Sequence, residues 1–162
     1  MNTKFLKVFG VLILLFSVNQ ISAAANLVSA GFTPIGYWKT IDDKTSAVLS
    51  VVQIYAEKDG GLSGKVVEIM PVLGQKTTDV CQACKGQLHN QPILGMQIIW
   101  GMKQDSPTSD TWVDGHVLDP KSGSVYSGKM TVLNNGQQLK LRGYVLMPML
   151  GRSEIWQRTD KA

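Results

Sequence analysis

The chain has 162 residues with 16 basic and 12 acidic side chains, 44% apolar and 7% aromatic residues, the make-up of one globular domain and not of a disordered or fibrous chain. Its excess of positive charge is small and gathers into no Lys/Arg stripe interleaved with aromatics, which excludes a phosphate-neutralising, nucleic-acid-binding surface.

In chain order, Lys4 and Lys7 form a basic start, Val8–Val18 is an almost unbroken apolar run, and Ser22-Ala23-Ala24-Ala25 supplies small residues in signal-peptidase spacing. Residues 1–24 therefore read as a secretory signal peptide, and the protein as exported, periplasmic or secreted. The apolar run is about half of the ~20 residues a bilayer-crossing helix needs, and no later stretch replaces it, so no transmembrane segment is expected in the mature chain. Cys81 is the first cysteine, which leaves no thiol near the cleavage region to carry a lipid. Processing removes two lysines and no acid, so the balance falls to 14 basic against 12 acidic side chains over the remaining 138 residues. Residues 25–33 read as a flexible N-terminal segment and 34–162 as a single β-domain.

Strands and turns fill that domain. Gly36–Ile41 is a first strand, followed by the polar turn Asp42-Asp43-Lys44-Thr45-Ser46. Val48–Glu57 and Leu62–Met70 form a hairpin across Lys58-Asp59-Gly60-Gly61, with room for a bulge at the consecutive Val66 and Val67. Pro71–Pro92 loses the alternation and is longer than most connections in a compact domain. Leu94–Met102 and Trp112–Leu118 resume it. Asp119-Pro120-Lys121-Ser122-Gly123 is a tight turn into Val125–Leu133, and Asn134-Asn135-Gly136 reverses the chain into Gln138–Val145. Ser153–Arg158 completes eight strands.

Eight short antiparallel strands joined mostly by tight turns predict an all-β, up-and-down barrel, with a two-sheet sandwich as the alternative that alternation alone leaves open. Tyr126, Gly128, Met130 and Val132 fall on one face, as do Leu139, Leu141, Gly143 and Val145; Met96, Ile98, Trp100 and Met102 line a third strand. Inward glycines leave room, either for a ligand or for neighbouring large side chains. Candidate interior ligand contacts are Met96, Ile98, Trp100, Tyr126, Met130 and Leu141. Trp38 near the start and Arg152 near the finish are expected to meet where the last strand closes on the first, a guanidinium on an indole.

Gly36-x-Trp38 with Arg152 resembles the arrangement of lipocalins and the wider calycin group. The ordered set Gly36-x-Trp38-x-x-x-Asp42-Asp43, Cys81-x-x-Cys84-x-Gly86, Gln91-Pro92-Ile93-x-Gly95, Leu118-Asp119-Pro120-x-x-Gly123-x-x-Tyr126 and Gly151-Arg152-x-x-x-Trp156 resembles the bacterial exported family called domain of unknown function 2147, across essentially the whole mature chain. That resemblance implies an exported, calycin-like domain and brings no catalytic residues.

Cys81 and Cys84 are the only thiols, and an oxidising compartment makes their disulfide the default, with the long connection as the segment it pins. Cys-x-x-Cys is also the spacing of thiol-disulfide oxidoreductases, the least favoured reading because no strand-loop-helix context surrounds it. His89 and His116 do not complete a common zinc module with the cysteines, and Asp114, His116 and Asp119 lack an identifiable nucleophile. No catalytic residue, metal or cofactor is therefore assigned. The leading functional expectation is a non-catalytic binder of a small apolar or amphipathic ligand; the alternative is an envelope structural or protein-interaction module with a filled barrel.

Overall fold

A computed structural model describes residues 32–71 and 79–160. Its strands are β1 (Gly36–Ile41), β2 (Val48–Ala56), β3 (Leu62–Ile69), β4 (Gln97–Gln104), β5 (Thr111–Asp119), β6 (Ser124–Leu133), β7 (Gln138–Tyr144) and β8 (Gly151–Thr159), with a 3-10 turn at Gly86–Leu88. Each strand pairs antiparallel with the next, and β8 returns to β1 through Tyr37–Thr159, Trp38–Arg158 and Lys39–Gln157. The sheet is thus a closed eight-stranded barrel and not a sandwich. Closure leaves none of the eight described strands with a free edge to pair with another chain.

Up-and-down order places the connections alternately at two ends. The floor holds the β2–β3, β4–β5 and β6–β7 turns with the start of β1 and the end of β8; the rim holds the β1–β2, β3–β4, β5–β6 and β7–β8 connections. Asn134 and Asn135 both take positive φ, the conformation a tight hairpin demands and asparagine tolerates. The bulge expected in the third strand is present: Val51 pairs with Glu68 and Val52 with Val66, leaving Val67 as the extra residue.

Trp38 is fully buried at the floor, its indole Nε1 donating to the Pro34 carbonyl at 2.7 Å. The cation on its face is Arg158, with Cζ 4.2 Å from the ring centroid, and not Arg152. Register explains the correction. Trp38 lies directly opposite Arg158, whereas Arg152 sits at the other end of β8, roughly 20 Å away at ~3.3 Å per residue. Arg158 also donates to the carbonyls of Ile35 (3.0 Å), Thr33 (2.7 Å) and Gly136. Arg152 instead pairs with Asp43 of the β1–β2 turn, both side chains well exposed.

The expected leader, residues 1–24, lies outside the described residues. Of the segment 25–33, residues 32 and 33 are described. Phe32 donates its N–H to Asp110 Oδ1 at 2.7 Å and lays its ring against Gly136, while the Thr33 carbonyl is held by Arg158. Among the described residues no helix is long and apolar enough to cross a membrane.

Candidate functional site

The barrel axis is occupied by its own side chains. Trp38, Val52, Ile54, Ile99, Met102, Met130 and Leu139 are all essentially without solvent contact and belong to one cluster. The inward glycines do leave space, and Met102 fills it: a Cβ on Gly115 would collide with the Met102 Sδ and Cγ, and one on Gly128 with the Met102 Cε and Val117. An unbranched thioether suits an irregular gap of this kind. Met130 and Leu141, two of the expected ligand contacts, face each other across β6 and β7 within this packed centre. Tyr126 is half-buried and packs over Gly143.

The other three expected contacts are on β4 or just before it, where simple alternation fails. Gly64 pairs with Ile99 but Lys65 with Gln97, so Ile98 is inserted; Gly101, at φ +71°, makes a second irregularity. The inward residues are consequently Ile99 and Met102. Trp100 is turned away from the axis, its ring stacked on that of exposed His116 at 5.4 Å and 7°. Ile98 is buried next to buried Ile99, so both faces of the strand are covered here, the inner by the barrel and the outer by the connection from β3.

That outer cover is built around the cysteines. Cys81 and Cys84 form a disulfide with Cα atoms 5.4 Å apart, and both are buried in the same cluster as Leu118. The Cys81 N–H donates to Gln91 O at 2.9 Å, the Asn90 N–H to Cys81 O at 2.9 Å and the Ile93 N–H to Asp79 O at 2.8 Å, folding the connection back on itself. Ala83 presses so closely on the β5–β6 turn that Gly123 has no room for a Cβ. The Gly95 N–H donates to Val66 O at 2.7 Å and the Val66 N–H to Met96 O at 3.0 Å, which stitches the end of the connection to β3.

Between this connection and β4 runs an outward-facing groove of about 660 Å³, lined by Leu88, Pro92, Leu94, Met96 and Trp100 with Gln91 and Gln97 at its polar edge. A second cleft of about 460 Å³, on the Leu118 and Val125 side of Leu88, carries Lys85 and Ser122. Met96 and Trp100, expected inside the barrel, thus line the groove on its wall.

The polar candidates are engaged in structure. His89 Nδ1 lies 3.1 Å from the Cys84 carbonyl, and His116 is occupied by Trp100. Asp119 accepts from the Lys121 N–H (2.9 Å) and the Ser122 hydroxyl (2.7 Å), the work of a turn residue. Asp114 takes φ +60° at a register shift between β5 and β6, and it and His116 are both exposed with buried Gly115 between them. Hydrogen bonds from the Thr45 N–H and hydroxyl and the Lys44 N–H hold the Asp42 carboxyl below its usual range, while burial lowers Arg158 from the ordinary guanidinium value. Cys81, fully buried at the back of the connection, lacks the exposed, electropositive setting of a redox-active thiol.

The profile of a family described as uncharacterized proteins conserved in bacteria, domain of unknown function 2147, matches residues 36–158. The chain belongs to this family. Its matched span starts at Gly36 and ends at Arg158, so the residues that close this family member's floor mark both limits. The sequence has no match among curated proteins. In structure, this domain of unknown function 2147 protein is similar to a Helicobacter pylori protein described as belonging to the lipocalin family, with a TM-score of 0.65 and 16% identity over 80% of this chain and 85% of the other. The likeness is one of fold.

Sequence reasoning missed Arg158 and Ile99; Met102, grouped with Met96, Ile98 and Trp100 on one face, is the member of that set that reaches the axis. Counting β8 from the tryptophan end would have found the arginine, because Arg158 is in register with Trp38. Gly101 is the residue that signals the break in β4.

Proposed function

We propose that this domain of unknown function 2147 protein is a non-catalytic binder of a small apolar or amphipathic molecule, held in the wall groove between the disulfide-pinned connection and β4. The observation that carries this reading is the groove's lining: Leu88, Pro92, Leu94, Met96 and Trp100 converge on a space of about 660 Å³ with two glutamines at its edge. That size and mixture suit a small ligand's apolar body and polar end. The lipocalin-like fold agrees with a binding role. The basic and apolar start of the chain supports export, with binding in the periplasm or outside the cell.

Trp100 makes the test direct, because Trp38, Trp112 and Trp156 are buried. Detergent-free protein is titrated with oleate and with anilinonaphthalene sulfonate while tryptophan emission is followed. Saturable quenching is expected, lost in Trp100→Ala and Leu94→Asp. Absence of saturation with both probes, or saturation untouched by both substitutions, refutes the groove. The intact mass of the same preparation, short by residues 1–24, is expected if the protein is exported. The packed axis supports the second reading, an envelope structural or interaction module, which the no-saturation result would favour.

A further inference from the structure

The β7–β8 connection is the most exposed apolar segment among the described residues. Val145, Leu146, Met147, Met149 and Leu150 are each at least half exposed, Leu146 at 90% and Met149 at 84%. Single exposed apolar side chains are ordinary; five within six positions on a protruding turn are not.

Its backbone is unusually self-contained. The Val145 N–H donates to Leu150 O (3.3 Å), the Met147 N–H to Val145 O (2.7 Å) and the Leu150 N–H to Met147 O (3.0 Å). Arg142 reaches in from β7, with Nε 2.6 Å from Pro148 O and Nη2 3.3 Å from Met149 O, while Nη1 donates to Ser153 Oγ at 2.9 Å. Five of the turn's carbonyls are thereby satisfied without water. A turn in that condition can leave water with a smaller penalty than one whose carbonyls are open, which is the requirement an apolar medium imposes.

The turn's own segment carries no acid. Positions 142–152 contain Arg142 and Arg152 and no acid, and Arg142 meets carbonyls and a hydroxyl but no carboxylate. Lys44 and Lys121 stand exposed on neighbouring rim turns. Acids share the rim with these lysines: Asp43 pairs with Arg152, while Asp42 and Asp119 accept from backbone N–H groups and hydroxyls of their own turns; Arg142 is the turn's cation without a carboxylate partner. An apolar tip with the guanidinium of Arg142 at its base complements the acyl boundary and phosphate layer of a phospholipid surface. The exposure points the same way, because a deformable medium can close around side chains that the described residues leave half to nine-tenths open.

We propose that the β7–β8 turn inserts into the interface of a phospholipid membrane, docking the barrel rim-first. The experiment is flotation with vesicles of phosphatidylcholine alone and of phosphatidylcholine mixed equally with phosphatidylglycerol. Wild-type protein is expected to float with both and more fully with the anionic mixture. The double variant Leu146→Asp/Met149→Asp, whose substitutions are at solvent-exposed positions, is expected to bind at least about tenfold more weakly at an unchanged melting temperature. Leu146→Trp supplies a second readout, a blue shift of the new fluorophore on adding vesicles. Failure of the wild type to float, equal flotation by the double variant, or flotation without a blue shift would each overturn the proposal. So would a concentration-dependent self-association, or retention of a protein partner, that the double variant abolishes while vesicles are ignored. Leu94→Asp, which disrupts the wall groove, is expected to leave flotation intact, so the two proposals fail separately.

Discussion

Replacing Arg158 by alanine removes the guanidinium from the Trp38 face and from three carbonyls at once. The stacking on a fully buried indole is worth roughly 0.5–2 kcal/mol. Hydrogen bonds from a charged donor are worth about 1.5–3 kcal/mol each, but Thr33 and Ile35 are exposed and their carbonyls regain water. Gly136 is buried, so its carbonyl is the one left without a partner. The sum expected for Arg158→Ala is about 2–4 kcal/mol, a fall in melting temperature of roughly 8–15 °C for a domain of this size. Arg158→Lys keeps the charge without the planar fork and should recover less than half. Arg152→Ala breaks an ion pair whose side chains are 70% and 44% exposed, for which little loss and a shift under about 4 °C are expected. Thermal melts followed by circular dichroism and tryptophan fluorescence measure all three. Arg152→Ala as damaging as Arg158→Ala, or Arg158→Ala within about 2 °C of wild type, would refute the reasoning.

Gly128→Ala should cost about 1–3 kcal/mol because the new methyl needs the space of the Met102 Cε, and adding Met102→Ala should return part of that loss in a double-mutant cycle. Replacing Cys81 and Cys84 by serine removes a bridge across only three positions, so little unfolded-state entropy is released and the barrel's circular dichroism should persist. Amide exchange at Cys81, Asn90 and Ile93 should rise sharply in that variant, together with loss of oleate quenching; unchanged protection would show that the connection does not depend on its bridge.

Much of the architecture was legible because half-buried antiparallel strands alternate at period two and their turns announce themselves through Asp, Asn, Pro and Gly. β6 and β7 follow that rule over their whole length, and Met130 and Leu141 were accordingly placed inside. β4 does not, because Ile98 and Gly101 interrupt the pleat and reverse which side chains face the axis. Periodicity carries no trace of such a reversal beyond the glycine itself. The seam failed for another reason: Arg152 and Arg158 share one face of β8, and only the stagger between first and last strands decides which one meets Trp38. The groove was invisible to alternation, since one of its walls is a loop.

Because β1 and β8 are partners, Arg158 reaches Ile35 across 123 positions of chain. Every other strand pairing joins sequence neighbours and can assemble as the polypeptide lengthens, whereas this one waits for β8. Loop-closure entropy opposes it most, and topology of this kind slows folding. Until β8 arrives, β1 and β7 both present unpaired backbone, so a chain truncated before β8 is an open, adhesive sheet and not a slightly shortened barrel.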